Sequence, residues 1–269
     1  MKKIIFILQA VTFFLLFSCD SQGFTAMTFD NNIRSEIKIE NLNGKEGVAI
    51  YYSSLPFWLR VPDKIYDYDV IRISLKEMKT QADLVLLTLP NTVQVIDNLN
   101  GYTSLKTITY TDSLQPQKGI MNGFPESLLV FPEMIGCTSL ESVKIPDNVS
   151  FIRQYTFYSC SALTNANTGK NVTSIKQNAF EDCTKLETVT LEAKTISIEP
   201  NAFLNCTSLT TVICLASEPP ALDITSFSKK GESESDRYAK KITVLVPFES
   251  VEKYKNHEIW GTFKEIKGI

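Results

Sequence analysis

The most regular feature of the sequence is a set of apolar positions that recurs every 23 residues between residues 137 and 214. A fixed period of this length is typical of repeat architectures, in which each repeat is one structural unit. The recurring positions are Cys137, Cys160, Cys183 and Cys206; Leu140, Leu163, Leu186 and Leu209; Phe157, Phe180 and Phe203; and Ile152, Ile175 and Ile198. Because several residue types keep the same register, we expect these side chains to share one core.

Apolar and polar residues alternate after the leucine of each repeat. The pattern Leu140-Glu-Ser-Val143-Lys-Ile145 recurs as Leu186-Glu-Thr-Val189-Thr-Leu191 and Leu209-Thr-Thr-Val212-Ile-Cys214. Alternation with a period of two is typical of a strand with one buried face. Since one strand cannot bury that face alone, the copies must stack at a spacing of ~4.8 Å. The sequence predicts a β-rich (α/β) solenoid whose convex side consists of short turns or helices.

The repeat resembles that of the BspA-type leucine-rich-repeat bacterial surface proteins, whose unit runs Leu-x-x-Val-x-Ile-Pro, then Val-x-x-Ile, then Ala-Phe-x-x-Cys. Residues 137–215 carry this pattern, although Ala166 and Thr168 replace the expected apolar pair in the unit that begins at Leu163. The resemblance implies a leucine-rich-repeat protein that serves protein–protein interaction, or adhesion to host matrix or other cells.

Degenerate units extend the predicted solenoid to residues 81–216. Leu105 and Leu140 lie 35 residues apart, which places an insertion near residues 112–125. Residues 217–241 are rich in charged residues and predict a loop. Residues 242–269 predict a last strand and a short helix, followed by Trp260, Phe263, Ile266 and Ile269 as a C-terminal cap over the open core.

Residues 19–80 precede the predicted repeats and form a strand-rich region whose fold the sequence does not identify. Ser74-Leu-Lys-Glu77 has the pattern of a capping box, which predicts a helix that seals the N-terminal end of the solenoid. The region also carries aromatic residues that either pack in a core or stack on sugars, which leaves glycan binding for nutrient uptake as an alternative function. These aromatics are Tyr51, Tyr52, Phe57, Trp58, Tyr66 and Tyr68.

The first residues have the organisation of an export signal. Lys2 and Lys3 precede 14 mostly apolar residues, a run shorter than the ~20 residues of a membrane-spanning helix. Leu16-Phe17-Ser18-Cys19 then resembles the lipobox of bacterial lipoproteins. This resemblance implies that residues 1–18 are removed and that acyl chains on Cys19 anchor the protein to the outer membrane or cell surface. An ordinary signal peptide is the alternative.

Composition and charge exclude several classes of function. Loss of residues 1–18 would leave a formal charge of −5 and no basic block, which argues against nucleic-acid binding. His257 is the single histidine, and neither a Cys-x-x-Cys pair nor a glycine-rich phosphate loop occurs. We therefore predict no catalytic, cofactor or metal site. The five cysteines after Cys19 predict either buried free thiols, our preferred interpretation, or disulfides.

The polar residues that alternate with the buried ones predict an open face of the sheet. Repeat surfaces of this kind commonly bind partners, although threonine is also a common exposed strand residue. The predicted binding face, which is polar and nearly uncharged, consists of Thr107, Thr109, Ser142, Lys144, Asn165, Asn167, Thr188, Thr190, Thr211 and Ile213.

We predict that the mature protein begins at an acylated Cys19. Mass spectrometry of the mature N-terminus should detect the lipid, and Cys19→Ala should move the protein from the membrane fraction to the soluble fraction. A free N-terminus at Asp20, or an uncleaved Met1, would contradict the prediction.

Overall fold

The computed structural model describes residues 35–42, 44–52, 58–65, 67–75, 84–97, 99–111, 120–122, 124–125, 127–129, 131–231 and 238–269. The predicted signal peptide, Cys19, Phe57 and Tyr66 lie outside these ranges. None of the helices within them is long and apolar enough to cross a membrane.

Most of the described chain is strand, turn or loop, with little helix. The strands in the N-terminal part are β1 (Ser35–Leu42), β2 (Lys45–Tyr52), β3 (Trp58–Arg60), β4 (Lys64–Ile65), β5 (Tyr68–Ser74), β6 (Leu86–Pro90), β7 (Val95–Ile96), β8 (Thr107–Thr111) and β9 (Ile120–Asn122). Those that follow are β10 (Ser142–Lys144), β11 (Phe151–Ile152), β12 (Asn165–Asn167), β13 (Ser174–Ile175), β14 (Thr188–Leu191), β15 (Ser197–Ile198), β16 (Thr211–Cys214), β17 (Ala221–Leu222), β18 (Thr243–Val246) and β19 (Glu265–Gly268), with the helix α1 (Val251–Lys255) between the last two.

The strands stack as a solenoid of about eight turns, which confirms the predicted architecture. Every turn of the regular region contributes one strand to each of two parallel sheets, ordered β10-β12-β14-β16-β18-β19 and β11-β13-β15-β17. The register follows the 23-residue period, since Ser142 pairs with Asn165, Asn165 with Thr188, and Thr188 with Thr211. The convex side consists of turns.

The solenoid begins earlier in the chain than the predicted boundary at residue 80. β3 pairs in parallel with β6, and β5 pairs in parallel with β7, so residues 58–74 already form a turn of the stack. The sequence concealed this turn because it keeps buried aliphatic residues such as Leu59 and Ile73 but lacks the cysteine and phenylalanine markers. Ser74 ends β5, which corrects the predicted helix start there; residues 76–83 are not described.

A column of phenylalanine rings runs through the core. Phe157, Phe180, Phe203 and Phe227 are buried and stack with centroids 4.9 to 5.0 Å apart, close to the ~4.8 Å between adjacent strands. Phe227 and β17 lie in residues 217–241, so the predicted charged loop contains a further part of the stack. The step from Phe203 to Phe227 is 24 residues, and this extra residue hid the turn from a search at a period of 23.

The cysteines form a second buried column, with all five thiols in the described chain free. Each Sγ of Cys160, Cys183 and Cys206 lies 3.2 Å from a backbone carbonyl 26 residues earlier, in position to donate a hydrogen bond. Burial raises the pKa of the Cys137 thiol to about 12, and burial likewise raises the pKa values of Cys160, Cys183 and Cys214. The thiols therefore pack as small apolar groups that satisfy a carbonyl of the preceding turn.

The C-terminal segment covers the end of the core. Trp260 is buried, contacts the ring of Phe227, and donates from Nε1 to the carbonyl of Pro220 at 2.8 Å. Tyr254 on α1 donates to the carbonyl of Ala216 at 2.9 Å. β19 adds to β18 in parallel, so the cap also lengthens the sheet by one strand.

We predict that Phe180→Ala is strongly destabilising, because this ring stacks between Phe157 and Phe203 and is fully buried. Truncation of a buried phenylalanine should lower the free energy of unfolding by ~3–5 kcal/mol, measured by chemical denaturation. Phe248→Ala is the control: this ring is 76% exposed, and the change should be about 0.5 kcal/mol or less. Equal effects of the two variants would contradict the column.

We also predict that the protein loses stability at alkaline pH. Unfolded thiols ionise above about pH 8.5, whereas burial keeps the pKa of Cys137 near about 12 in the folded chain. The unfolded state then binds fewer protons than the folded state, so the thiol contribution to stability is complete below about pH 8.5 and is lost as pH rises toward 12. Urea unfolding at about pH 8 and about pH 9.5 should show the decrease, and Cys160→Ala should make it smaller. Stability independent of pH in this window would be inconsistent with buried protonated thiols.

Candidate interaction surface

The open face of the six-stranded sheet carries the predicted binding residues in two rows. One row contains Ser142, Asn165, Thr188 and Thr211, and the other contains Lys144, Asn167, Thr190 and Ile213. Between the rows, Val143, Ala166, Val189 and Val212 point into the core. Because successive strand residues face opposite sides of a sheet, burial of these four residues turns both rows outward.

A groove on this face brings most of the predicted residues together. Its volume is about 420 Å³, within the ~300–1,000 Å³ common for ligand sites. The walls contain Thr107, Ser142, Lys144, Asn165, Asn167, Thr188 and Thr190, and the floor contains Ile108, Val143 and Ala166. Thr211 and Ile213 lie one strand further along the sheet and do not line the groove.

Thr109 is not accessible, which corrects its place in the predicted face. Only 6% of this residue is exposed, and its hydroxyl lies 2.9 Å from that of Thr88 on the neighbouring strand β6. Thr109 also pairs with Asn122 of β9, a strand that belongs to the insertion. The alternation of β8 alone could not reveal these partners.

The groove is polar and nearly uncharged. Among the described residues that line it, Lys144 is the one charged side chain. The Asn167 amide is fixed in place, since Nδ2 donates to Glu192 Oε1 at 3.1 Å and Oδ1 accepts from the Gly169 N–H at 2.9 Å. Asn165 Nδ2 donates to Thr164 Oγ1 at 3.0 Å. These bonds hold the amide side chains in defined orientations before any partner arrives.

The two rows continue onto strands that the sequence analysis did not include. Thr243 and Leu245 of β18 pair with Thr211 and Ile213, and Glu265 and Lys267 of β19 follow. Thr211 and Thr243 are 32 residues apart, so β18 falls outside the 23-residue register. The alternation in Thr243-Val-Leu-Val246 was the available signal.

One aromatic residue of the N-terminal region presents a free surface. Trp58 is 73% exposed, and Tyr68 is 36% exposed. Tyr51 is half-buried, its hydroxyl contacts the Glu40 carboxylate, and Lys38 Nζ lies 4.5 Å from its ring centroid. The structure does not describe the side chains of Tyr52, Phe57 and Tyr66. Trp58 is thus the described aromatic best exposed for stacking on a ligand.

The remaining chemically active side chains have structural surroundings. His257 Nδ1 accepts hydrogen bonds from the N–H groups of Ile259 and Trp260, at 3.2 and 3.4 Å, and so helps to shape the C-terminal cap. No group of three or more His, Cys, Asp or Glu side chains that could hold a metal ion occurs among the described residues.

Comparison with known proteins identifies the repeat region. The family model of the BspA type leucine rich repeat region matches residues 134–231 in six copies. A comparison with curated proteins finds no match.

Solved structures of bacterial repeat proteins are similar at low sequence identity. The T. pallidum leucine rich repeat protein is 17% identical, with 86% of this chain and 83% of that chain covered and a TM-score of 0.42. A leucine-rich repeat protein from Bacteroides ovatus is 14% identical, with 91% and 77% covered and a TM-score of 0.34. A leucine rich cell surface protein from Faecalibacterium prausnitzii is 14% identical, with 86% and 93% covered and a TM-score of 0.31. On the repeat pattern, the solenoid and the family match, the chain is a leucine-rich-repeat protein with repeats of the BspA type.

Proposed function

We propose that this chain is a cell-surface binding protein that docks a protein partner on the open face of its six-stranded sheet. The observation that supports the proposal is the groove of about 420 Å³, which gathers seven of the ten residues predicted from the sequence. Leucine-rich repeats generally act as protein-interaction scaffolds without enzymatic activity. Adhesion to host matrix or to other cells is the specific role that we propose.

The chemistry of the open face suits close approach by another polypeptide. Short hydroxyl and amide side chains allow the partner's backbone to come near the sheet, and each new hydrogen bond contributes about 0.5–1.5 kcal/mol. The buried phenylalanine and cysteine columns hold the strands beneath in fixed register. A face that is rigid before binding loses little conformational entropy when the partner docks.

We propose further that the protein reaches the cell surface by export and stays attached through lipid on Cys19. The order of Lys2 and Lys3, the apolar run and the Leu-Phe-Ser-Cys19 junction supports this location. Attachment by acyl chains alone would leave the solenoid free to face outward.

Glycan binding is a second candidate because Trp58 is 73% exposed. An exposed indole ring offers a flat apolar face, and such faces stack on sugar rings. This candidate places the site on β3, at the opposite end of the solenoid from the C-terminal cap.

We predict that arginine at Thr188 and Thr190 blocks partner binding. The full chain is first applied to an array of matrix proteins and polysaccharides, and the Thr188→Arg/Thr190→Arg variant is then compared on the ligands retained. Bulk and charge in the groove should reduce binding at least tenfold. The melting temperature should stay nearly unchanged, because Leu186, Val189 and Leu191 keep their core contacts.

Gln177→Arg/Ile196→Arg is the matched control, since both residues are exposed on the opposite side of the same turns and add the same charge. It should bind like the native chain. If the Thr188→Arg/Thr190→Arg variant binds at full affinity, the open face is not the site. Loss of polysaccharide binding in Trp58→Ala would then favour the glycan candidate.

A further inference from the structure

The open face is interrupted at one place, between β8 and β10. β8 belongs to the sheet β3-β6-β8-β9, and β10 is the first strand of the six-stranded sheet. Among the described residues, no strand ladder joins the two sheets at this point. The groove lies across this interruption, since Thr107 and Ile108 of β8 line it together with Ser142, Val143 and Lys144 of β10.

The insertion causes the interruption. The Glu141 N–H still donates to the Lys106 carbonyl at 3.4 Å, as the Thr164 N–H donates to the Glu141 carbonyl one turn later. Beyond that bond, β9 pairs with β8 from Thr109 to Thr111. β9 therefore occupies the edge of β8 that β10 would take in an uninterrupted solenoid, and β10 becomes an edge strand.

The backbone of Lys144 faces the groove. The Ile145 N–H donates toward β12, to the Asn167 carbonyl at 3.4 Å, and the equivalent Thr168 N–H donates to the Thr190 carbonyl at 3.1 Å. The N–H and C=O groups of successive residues in a strand point to opposite sides. The N–H and C=O of Lys144 thus point away from β12, toward β8.

We propose that an extended segment of the partner protein binds in this groove by adding to the edge of β10 as a further strand. An edge strand presents N–H and C=O groups that another polypeptide backbone can match, and strand addition is a common mode of peptide recognition. A sugar chain lacks this regular row of donors and acceptors. The inference rests on the proposed function and specifies its binding mode.

The side chains around the edge favour one class of segment. Ser142, Asn165 and Thr188 are small and polar, so they allow a second backbone to approach. Lys144 adds a positive charge beside the edge and favours a segment with an acidic side chain. A short edge with a lysine also discourages unspecific pairing between copies of a protein. The groove is therefore suited to an acidic, extended segment.

Hydrogen exchange of the full chain without a partner tests the open edge. The amides of Lys144, Asn167 and Thr190 hold equivalent positions in successive strands, but only that of Lys144 faces the interruption. We expect Lys144 to exchange faster than the other two by on the order of tenfold or more. Equal protection would mean that another part of the chain already pairs with β10, which would overturn the proposal.

A synthetic peptide tests strand addition directly. The probe copies residues 185–192, Lys-Leu-Glu-Thr-Val-Thr-Leu-Glu, with blocked ends; this segment includes β14, contains two acidic residues, and pairs with β12 in the native fold. At millimolar concentration it should slow exchange at Lys144. The same peptide with N-methyl groups on alternate residues should not. Absence of protection by the unmodified peptide would contradict the proposal.

Substitutions at Lys144 separate the backbone from the side chain. Lys144→Pro removes the N–H that faces the groove, a change that edge strands tolerate, and should abolish peptide binding. Lys144→Ala keeps that N–H and should weaken binding by no more than about fivefold, the range of an exposed ion pair. Equal losses in the two variants would mean that charge alone attracts the peptide, and the proposal would fail. The melting temperature of Lys144→Pro shows whether the fold is kept.

The same variants distinguish failure of this inference from failure of the proposed function. If Thr188→Arg/Thr190→Arg loses the array ligand while a folded Lys144→Pro keeps it, the open face binds its partner without strand addition. If neither variant affects the array ligand, the open face is not the site, and both proposals fail. Loss in both is the result that strand addition predicts.

Discussion

The fold depends on the fact that aromatic rings and β-strands can stack at almost the same spacing. Ring centroids in the phenylalanine column are 4.9 to 5.0 Å apart, and adjacent strands lie ~4.8 Å apart. A turn of the solenoid can therefore satisfy its backbone hydrogen bonds and its core contacts at the same height. The match fixes the length of the turn, because an added residue must be absorbed in a loop. Residues with positive φ recur at the same interval, as at Asn178 and Asn201.

The sequence predicted those parts of the fold that repeat, because selection for a common register leaves a visible period. The core columns and the outward rows followed from alternation and spacing alone. Residues 58–74 and Phe227 escaped because they satisfy the same packing without the marker residues or the same step. The burial of Thr109 escaped for a different reason, since its partners Thr88 and Asn122 are brought to it by long-range pairing. Local patterns specify which face a side chain takes, but not what covers that face.

The regular and irregular parts of the molecule have different physical roles. The uninterrupted turns provide a stiff sheet on which side chains such as Asn167 are held in place. The insertion disturbs the stack at one point and leaves β10 with an edge that the other strands of the regular sheet do not share, apart from β19 at its far end. Rigidity thus comes from repetition, and a distinctive local shape comes from departure from it.

The position of the C-terminal cap has a consequence for how the chain folds as it is made. Phe227 ends the phenylalanine column, and its outer side is covered by Trp260 and Phe263, which lie more than thirty residues later. During synthesis or passage through a membrane, the turns can stack one after another as they emerge, but the last ring stays in contact with water until residues 254–263 have followed. For that interval the growing solenoid has a sticky end, and chaperones that shield apolar surfaces would find their target there.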